Sequence, residues 1–333
     1  GFLDDDQKFH GNQINDLTIY DPKAIQEIIS KKKIQEILLA LPDNSLPVKN
    51  SILQTLSNTN IQIRTIPSYT DLVEGKITIN NIRPLSIDDV LGRERVMPNS
   101  QLMKHDIENK IVLVTGAGGS IGKELCSQIL AQNPKKLILF DHSEFAIYTI
   151  FEELKKLSLN TNSLTKIIPY LGSITDKKRI KAVFKETKPQ TIFHAAAYKH
   201  VPLIEKNIFE GLNNNIFGTL YLAEEALTAK VRKFILISSD KAVRPTSVMG
   251  ASKRVAEMIL QALSTIQNKT FFAMVRFGNV LDSSGSVVPL FKSQIKSGGP
   301  VTITDKKMTR YFMTITEAAQ LVIQASAMTK KAP

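Results

Sequence analysis

Cysteine is nearly absent: Cys126 stands alone in 333 residues, which excludes a disulfide framework and any cysteine-based metal site and fits a reducing compartment. No apolar run approaches the roughly 18 residues that a membrane-spanning helix needs, and Gly1-Phe2-Leu3-Asp4-Asp5-Asp6 is not a signal peptide. The chain reads as soluble and cytoplasmic. Metal-ligand spacing of His, Asp and Glu is missing too, so no metal is expected. Zinc-finger spacing, a helix-turn-helix pattern and aromatic interleaving of basic residues are also lacking. The formal charge of +12 would suit phosphate neutralisation, but the lysines are scattered along amphipathic segments, as in Lys31-Lys32-Lys33, Lys155-Lys156, Lys177-Lys178 and Lys330-Lys331. Nucleic acid is therefore not an expected partner. Attraction of an anionic small substrate, such as a nucleotide diphosphate, is a more economical use of that charge.

What is present organises the chain as α/β. With 43% hydrophobic residues over this length, two domains are expected. Residues 1–82 alternate short apolar runs (Leu17–Tyr20, Ile34–Leu41, Ile61–Ile66) with helix-like stretches (Pro22–Lys32, Leu46–Leu56), the rhythm of a small parallel, Rossmann-like unit. Gly1-Phe2-Leu3 reads as the tail of a strand, which points to a longer parent protein. Residues 83–109, with the charged Gly92-Arg93-Glu94-Arg95 segment, read as a linker holding one short helix. From Lys110 to Pro333, strands at Ile111–Thr115, Lys136–Phe140, Lys166–Leu171, Thr191–His194, Lys233–Ile237 and Phe271–Arg276 alternate with helical or loop sequence. Such a repeat predicts a Rossmann-type, doubly wound parallel sheet of order 3-2-1-4-5-6, with ligands outside the carboxyl ends of its strands. A last helix is expected at Glu317–Ala327.

Between the first of these strands and its helix runs Thr115-Gly116-Ala117-Gly118-Gly119-Ser120-Ile121-Gly122. Gly116, Gly119 and Gly122 let the backbone approach a pyrophosphate, and Ser120 and Ile121 open the helix whose N–H groups receive it. The spacing departs from G-x-G-x-x-G, since Ile121 takes the third glycine's place in that register. A P-loop would need glycine at Ala117 and Ser or Thr at Glu124, so this is a dinucleotide turn. Asp141 ends the second strand, where a carboxylate can hold both adenosine ribose hydroxyls and repel a 2′-phosphate. No Arg follows in His142-Ser143-Glu144, which favours NAD over NADP. Ser173 and Ile174, and Ala195, Ala196 and Ala197, follow the third and fourth strands and are small enough to flank the cofactor.

After the fifth strand come Ser238-Ser239-Asp240-Lys241-Ala242 and then Met249-Gly250-Ala251-Ser252-Lys253-Arg254. With Ala196-Ala197-Tyr198-Lys199-His200-Val201-Pro202, Arg276-Phe277-Gly278-Asn279-Val280-Leu281 and Met308-Thr309-Arg310-Tyr311-Phe312-Met313, these motifs resemble the extended short-chain dehydrogenase/reductases. Among those they resemble the large, membrane-anchored UDP-N-acetylglucosamine 4,6-dehydratases of bacterial glycan pathways. The resemblance covers Lys110 to about Lys330, and the N-terminal unit is similar to the Rossmann-like domain that precedes catalysis in large members. Two departures stand out. Met249 occupies the place of the usual Tyr, four residues before Lys253, and Ser239 stands where most members carry Thr.

A sugar C5 proton is too weakly acidic to remove until C4 is a ketone, and that oxidation is the task of NAD. The resemblance implies Lys241 as the C5 base and Asp240 as the acid at the C6 oxygen. Serving near neutral pH asks Lys241 to titrate about three units below its usual ~10.4, roughly 4 kcal/mol of desolvation and cationic-neighbour effects such as Lys253. Asp240 must in turn hold its proton, helped by apolar Met249, and both requirements oppose a simple Asp–Lys salt bridge. Ser239 is expected at the C4 hydroxyl, Lys253 at the nicotinamide ribose, and Ser238 beside the cofactor. Tyr198, Lys199 and His200 are expected to line the sugar pocket, with Asn279 and Arg310 near the UDP moiety, where Arg pairs bidentately with diphosphate. The resemblance further implies a homo-oligomer, and a membrane contact only through segments outside this chain. A C5-inverting dehydratase or a UDP-sugar 4-epimerase remains an alternative, although both normally have Tyr at position 249. So does a non-catalytic NAD-binding regulator.

Overall fold

A strand covered on both faces needs apolar residues at successive positions, and the runs after Lys110 supply them. The computed structural model describes residues 1–40, 46–56, 61–65, 83–84, 96–161, 163–267, 269–283, 285–303 and 305–328. The chain divides into two compact units, Gly1–Arg95 and Val96–Pro333.

In the first unit β1 (Phe2–Leu3), β2 (Gln13–Ile14) and β3 (Leu17–Tyr20) form a small sheet of order β1-β3-β2. Strand β1 runs parallel to β3, whereas β2 is antiparallel to it. The parallel rhythm read from the sequence misses this hairpin, which turns on Asn15 and Asp16, both at positive φ (48° and 62°), as a two-residue turn of matching twist requires. The helix expected over Pro22–Lys32 starts as a 3-10 turn, Pro22–Ala24, capped by Asp21, whose carboxylate accepts from the Lys23 amide at 2.9 Å. It continues as α1 (Ile25–Lys32) and stops where Lys33 turns left-handed. Strand β4 (Glu36–Leu39), helix α2 (Leu46–Leu56) and strand β5 (Gln62–Thr65) then form a parallel crossover. Strand β6 (Arg83–Pro84) pairs antiparallel with β5. Proline fits at such an edge because it has no N–H to donate. Residues 83–84 thus belong to a sheet and not to a linker; Gly92-Arg93-Glu94-Arg95 and Lys330-Lys331 lie outside the described residues.

The second unit opens with α3 (Ser100–His105), capped by Asn99, whose side chain accepts from the Gln101 and Leu102 amides. This is the short helix expected in the linker, but it is part of the unit: Met103 and Ile107 are buried in its core. The main sheet comprises β7 (Ile111–Thr115), β8 (Lys136–Asp141), β9 (Lys166–Leu171), β10 (Thr191–His194), β11 (Lys233–Ile237) and β12 (Phe271–Val275). All are parallel in the order β12-β11-β10-β7-β8-β9, the doubly wound arrangement predicted. Alternate residues serve opposite faces. Val112, Val114, Leu137 and Leu139 pack with α4 (Ser120–Leu130), α5 (Glu144–Asn160) and the last helix, while Leu113, Ile138 and Phe140 pack on the other side. That other side is covered by α6 (Lys177–Thr187), then, beyond α7 (Val201–Lys206), α8 (Ile208–Leu212) and a π-helical segment (Asn213–Phe217), by α9 (Gly218–Thr228) and α10 (Val248–Ile266).

Past β12 the chain forms β13 (Asn279–Val280), α11 (Val287–Lys296), β14 (Phe312–Met313) and α12 (Ile315–Met328). Strands β13 and β14 pair in parallel, Asn279 opposite Phe312, and so bring the Arg276–Leu281 and Met308–Met313 motifs together. The chain reverses its direction of winding between β7 and β10, the place where an open α/β sheet forms a ligand crevice. Among the described residues no helix is long and apolar enough to cross a membrane.

Candidate active site

The glycines of the first βα turn are there because neighbouring backbone leaves no room for a Cβ. Gly116 has φ +65°, and a Cβ on it would lie 2.6 Å from the Ala196 amide nitrogen; one on Gly122 would collide with the Gly116 carbonyl. Gly119 is the N-cap of α4 and has no side chain to occupy the first helical N–H groups. Gly116, Gly119, Ser120, Ile121 and Gly122 form one wall of a cavity of about 490 Å³, with Tyr198, Lys199 and His200 on another. The turn is thus a cradle of backbone and helix N-terminus with the shape and polarity a dinucleotide pyrophosphate requires.

A second cavity of about 250 Å³ continues from this turn and is lined by Asp141, Ser173, Ile174 and Ala195 to Ala197. Asp141 is buried, its two oxygens accepting from the Gly118 and Ser143 amides, each at 2.9 Å. These bonds fix the carboxylate at the strand end and leave Oδ2 a further lone pair, while His142 Nδ1 lies 3.4 Å from Oδ1.

A third cavity, of about 320 Å³, brings together Ile121, Lys199, His200, Ser238, Ser239, Lys241, Met249, Lys253 and Asn279. Residues more than 150 positions apart in sequence thus share one space at the strand ends. Gly250 makes it possible, since a Cβ there would strike the Lys241 carbonyl, and so α10 lies close against the turn. Met249 is buried on the first turn of α10, capped by Ser247. Lys253 is buried as well, its Nζ donating to the Ile237 carbonyl at 2.7 Å. Burial brings its pKa down to about 8, against the opposing pull of Glu257. Lys199 is lowered by burial too, and its Nζ lies 3.5 Å from Ser283 Oγ.

The Asp240–Lys241 pair differs from expectation. Lys241 Nζ lies 3.1 Å from Asp240 Oδ1, and both side chains are close to half exposed (41% and 48%). Ser239 Oγ donates to the same carboxylate at 3.0 Å and accepts from the Lys241 amide. Burial tends to raise the Asp240 carboxyl, but the hydrogen bonds from Lys241 and Ser239 outweigh it, and its pKa is lowered. Asp240 is therefore an ion-paired carboxylate here rather than a carboxylic acid, because water still reaches the pair. Nor does it line any of the three cavities. Arg310 is also outside them, exposed, with Nη1 on the Thr309 carbonyl.

Glu257 and Asn215 belong to no motif singled out in the sequence, yet both support the site. Asn215, in the π-helical segment, accepts from the Tyr198 amide at 2.8 Å and donates to the Tyr198 carbonyl and Ser252 Oγ, each at 3.0 Å. Three successive asparagines inside a helix, poor helix formers all, were the available sign. Glu257 sits one turn after Lys253 on the inner face of α10 and is fully buried; an acid on an apolar face was its sign. His194 is neutral in the core, burial holding its pKa at about 3, between Thr115 and Thr219.

A family model described as "Polysaccharide biosynthesis protein" matches residues 112–332. The chain is 46% identical over 304 residues to the capsular polysaccharide biosynthesis protein CapD of Staphylococcus aureus, covering 91% of this chain and 50% of that protein. It thus spans about half the length of the curated relatives it first matches. Among solved structures, Pen from Bacillus thuringiensis superposes with a TM-score of 0.61 at 37% identity, over 66% of this chain and 68% of that one. The UDP-glucose 4-epimerase of Thermus thermophilus, solved with NAD, shares the fold at a TM-score of 0.56 and 21% identity, over 65% of this chain and 74% of that one.

Proposed function

We propose that this chain, which belongs to the polysaccharide biosynthesis protein family, carries the catalytic unit of an NAD-dependent nucleotide-sugar dehydratase. Its substrate in this reading is UDP-N-acetylglucosamine, and its product the UDP-4-keto-6-deoxy sugar with the configuration at C5 retained. The observation that carries it is the third cavity, where Ser239, Lys241 and Lys253 meet around a buried Met249 in the place of a tyrosine.

When bound, NAD would supply a hydride acceptor for C4 and, once reduced, the hydride for C6. The glycine turn and Asp141 hold the dinucleotide, while Ser173, Ile174 and Ala195 to Ala197 flank it and Lys253 donates to its nicotinamide ribose. Ser239 takes the C4 hydroxyl and passes its proton to water as the hydride leaves, an equal proton returning from water to Asp240 at the end of the cycle, and Asn279 with Arg310 takes the UDP group. Lys241 removes the C5 proton, and Asp240 protonates the departing C6 oxygen.

The ion pair seen between those last two residues contains the right number of protons. Lysinium with aspartate and neutral lysine with aspartic acid differ only in the position of one proton along a 3.1 Å hydrogen bond. A sugar that expels water from the pair penalises the charged form and favours the neutral one. Substrate thereby creates the base and the acid together. Methionine at position 249 takes away the base that a tyrosine would supply there, and in this reading Lys241 returns the proton to the face it left.

The share of the relatives' length that this chain does not span is where the membrane anchor of a bacterial inner-membrane parent is proposed to lie, its catalytic unit facing the cytoplasm as a homo-oligomer. The reading is tested by incubating the chain and NAD with UDP-N-acetylglucosamine in heavy water and following the product by NMR. A 4-keto-6-deoxy sugar with one deuterium at retained C5 and no net NADH is expected. Inverted C5 or a 4-epimer would replace the reading by one of the sister reactions, and stoichiometric NADH would make the enzyme an ordinary dehydrogenase.

A further inference from the structure

Glu257 is 0% exposed, yet it takes no part in the proposed chemistry. Its carboxylate accepts from Ser238 Oγ at 2.6 Å, from Arg276 Nε at 2.8 Å and from Arg254 Nη1 at 3.0 Å, with Arg276 Nη2 as a further donor. Burial pushes the carboxyl up, but these donors outweigh it and hold its pKa at about 2. The acid is therefore a permanent anion.

Its partners come from three elements that meet beside the third cavity. Ser238 directly precedes the turn of Ser239, Asp240 and Lys241, Arg276 lies three residues before Asn279, and Lys253 is one helical turn before Glu257 itself. Main-chain bonds join the first two segments, Ser238 N to the Val275 carbonyl at 2.8 Å and Asp240 N to the Phe277 carbonyl at 3.1 Å. Side by side, these strand ends carry both the reacting pair and a substrate-side residue. The Glu257 carboxylate ties both of them to the helix that bears Lys253, whose own Nζ bonds only the first, at the Ile237 carbonyl.

We propose that Glu257 is a positioning residue of this site, which clamps the catalytic turn to the segment carrying Asn279 and supplies the counter-charge for Lys253. The charge half of this inference rests on Lys253 contacting the bound dinucleotide, as proposed above; the clamp half does not. Around Lys253 the charged and titratable groups are Glu257 on its own helix, the Arg254 and Arg276 that pair with Glu257, Lys241 with Asp240 on the catalytic turn, Lys199 and His200 after β10, and His194 within β10. Glu257 is the anion that raises Lys253 against its burial.

The sign of the consequence follows. Lys253 serves as a donor while it is an ammonium, so dinucleotide affinity is full below pH 8 or so and is lost as the pH rises through the lysine's pKa, which stands at about 8. Removing the neighbouring anion moves that loss to lower pH. Calorimetric titration of the full chain with NAD between pH 6 and 9 compares wild type with Glu257→Gln, which keeps the shape, and Glu257→Asp, which keeps the charge but shortens the reach. The midpoint for Glu257→Gln is expected at least about one pH unit lower, a loss of affinity of about threefold midway between the two midpoints that approaches tenfold above both. That for Glu257→Asp stays with wild type, while dehydration slows at least about tenfold.

Amide hydrogen exchange supplies a readout independent of cofactor and turnover. Residues 238–241 and 276–279 should exchange at least about tenfold faster in either variant, with β7 and β8 unchanged. Coincident midpoints for wild type and Glu257→Gln would overturn the counter-charge, and unchanged exchange at those segments would overturn the clamp. Should Glu257→Gln not fold, Glu257→Asp decides the clamp through the same exchange and its rate. Failure of the wild-type chain to bind NAD at all would instead refute the proposed function, and with it the charge half.

Discussion

At residue scale the proposed reaction turns on which of two neighbours holds a proton. Asp240 and Lys241 start as an ion pair, and the proposed chemistry asks each to be in the other protonation state when the elimination begins. The roles separate experimentally because removal of the C5 proton and loss of the C6 oxygen are different steps. Replacing Lys241 by Ala should slow dehydration by about 10²–10⁴-fold, the usual worth of a positioned proton-transfer group, and should also abolish deuterium exchange at C5. Asp240→Asn should slow dehydration in the same range, since the amide can neither protonate the leaving oxygen nor take the proton of Lys241, but should leave a slower C5 exchange measurable by NMR, because Lys241 can give its proton to water instead. Equal loss of exchange in both variants would mean that the two residues share one role.

The glycine turn shows how an element creates a site without side chains. Gly122 lets α4 start against β7, and an alanine there would meet the Gly116 carbonyl, so Gly122→Ala must push the helix N-terminus away from the cradle. NAD affinity is expected to fall at least about tenfold, or 1.4 kcal/mol, with little change in the circular dichroism of the sheet. Affinity within twofold of wild type would place the pyrophosphate elsewhere.

The same element explains what the sequence made legible. Six apolar runs, each answering a face of the sheet, gave strands and order, and the glycine spacing, Asp141 and the Lys241 and Lys253 motifs marked residues that the fold gathers around connected cavities. The hairpin at Asn15–Asp16 was hidden because its strands are only two and four residues long, too short to show a period. The β13–β14 pair was hidden for the same reason. Glu257 escaped because its importance lies in donors from two distant strand ends, a long-range pairing that no local pattern encodes. The state of the Asp240–Lys241 pair depends on water access, which only the folded surface determines.

At the scale of the whole molecule, net charge acts on encounter rather than on the chemical step. The chain carries +12 at pH 7, while the proposed substrate is a nucleotide diphosphate, and Lys199, Lys241 and Lys253 line the cavity meant to receive it. A positive field focused by a low-dielectric cleft raises the local concentration of such an anion and its rate of capture. Salt shortens the reach of that field: the Debye length falls from about 30 Å at 0.01 M to about 8 Å at 0.15 M ionic strength. Over this range kcat/KM for UDP-N-acetylglucosamine should fall roughly tenfold, and more steeply than for an uncharged competitor. The kcat measured at saturation should change little, because the proton transfers occur within an enclosed pair and at fixed dipoles. A kcat that falls in step with kcat/KM would instead show that salt acts on the Asp240–Lys241 pair itself, which is half-exposed and open to screening before substrate covers it.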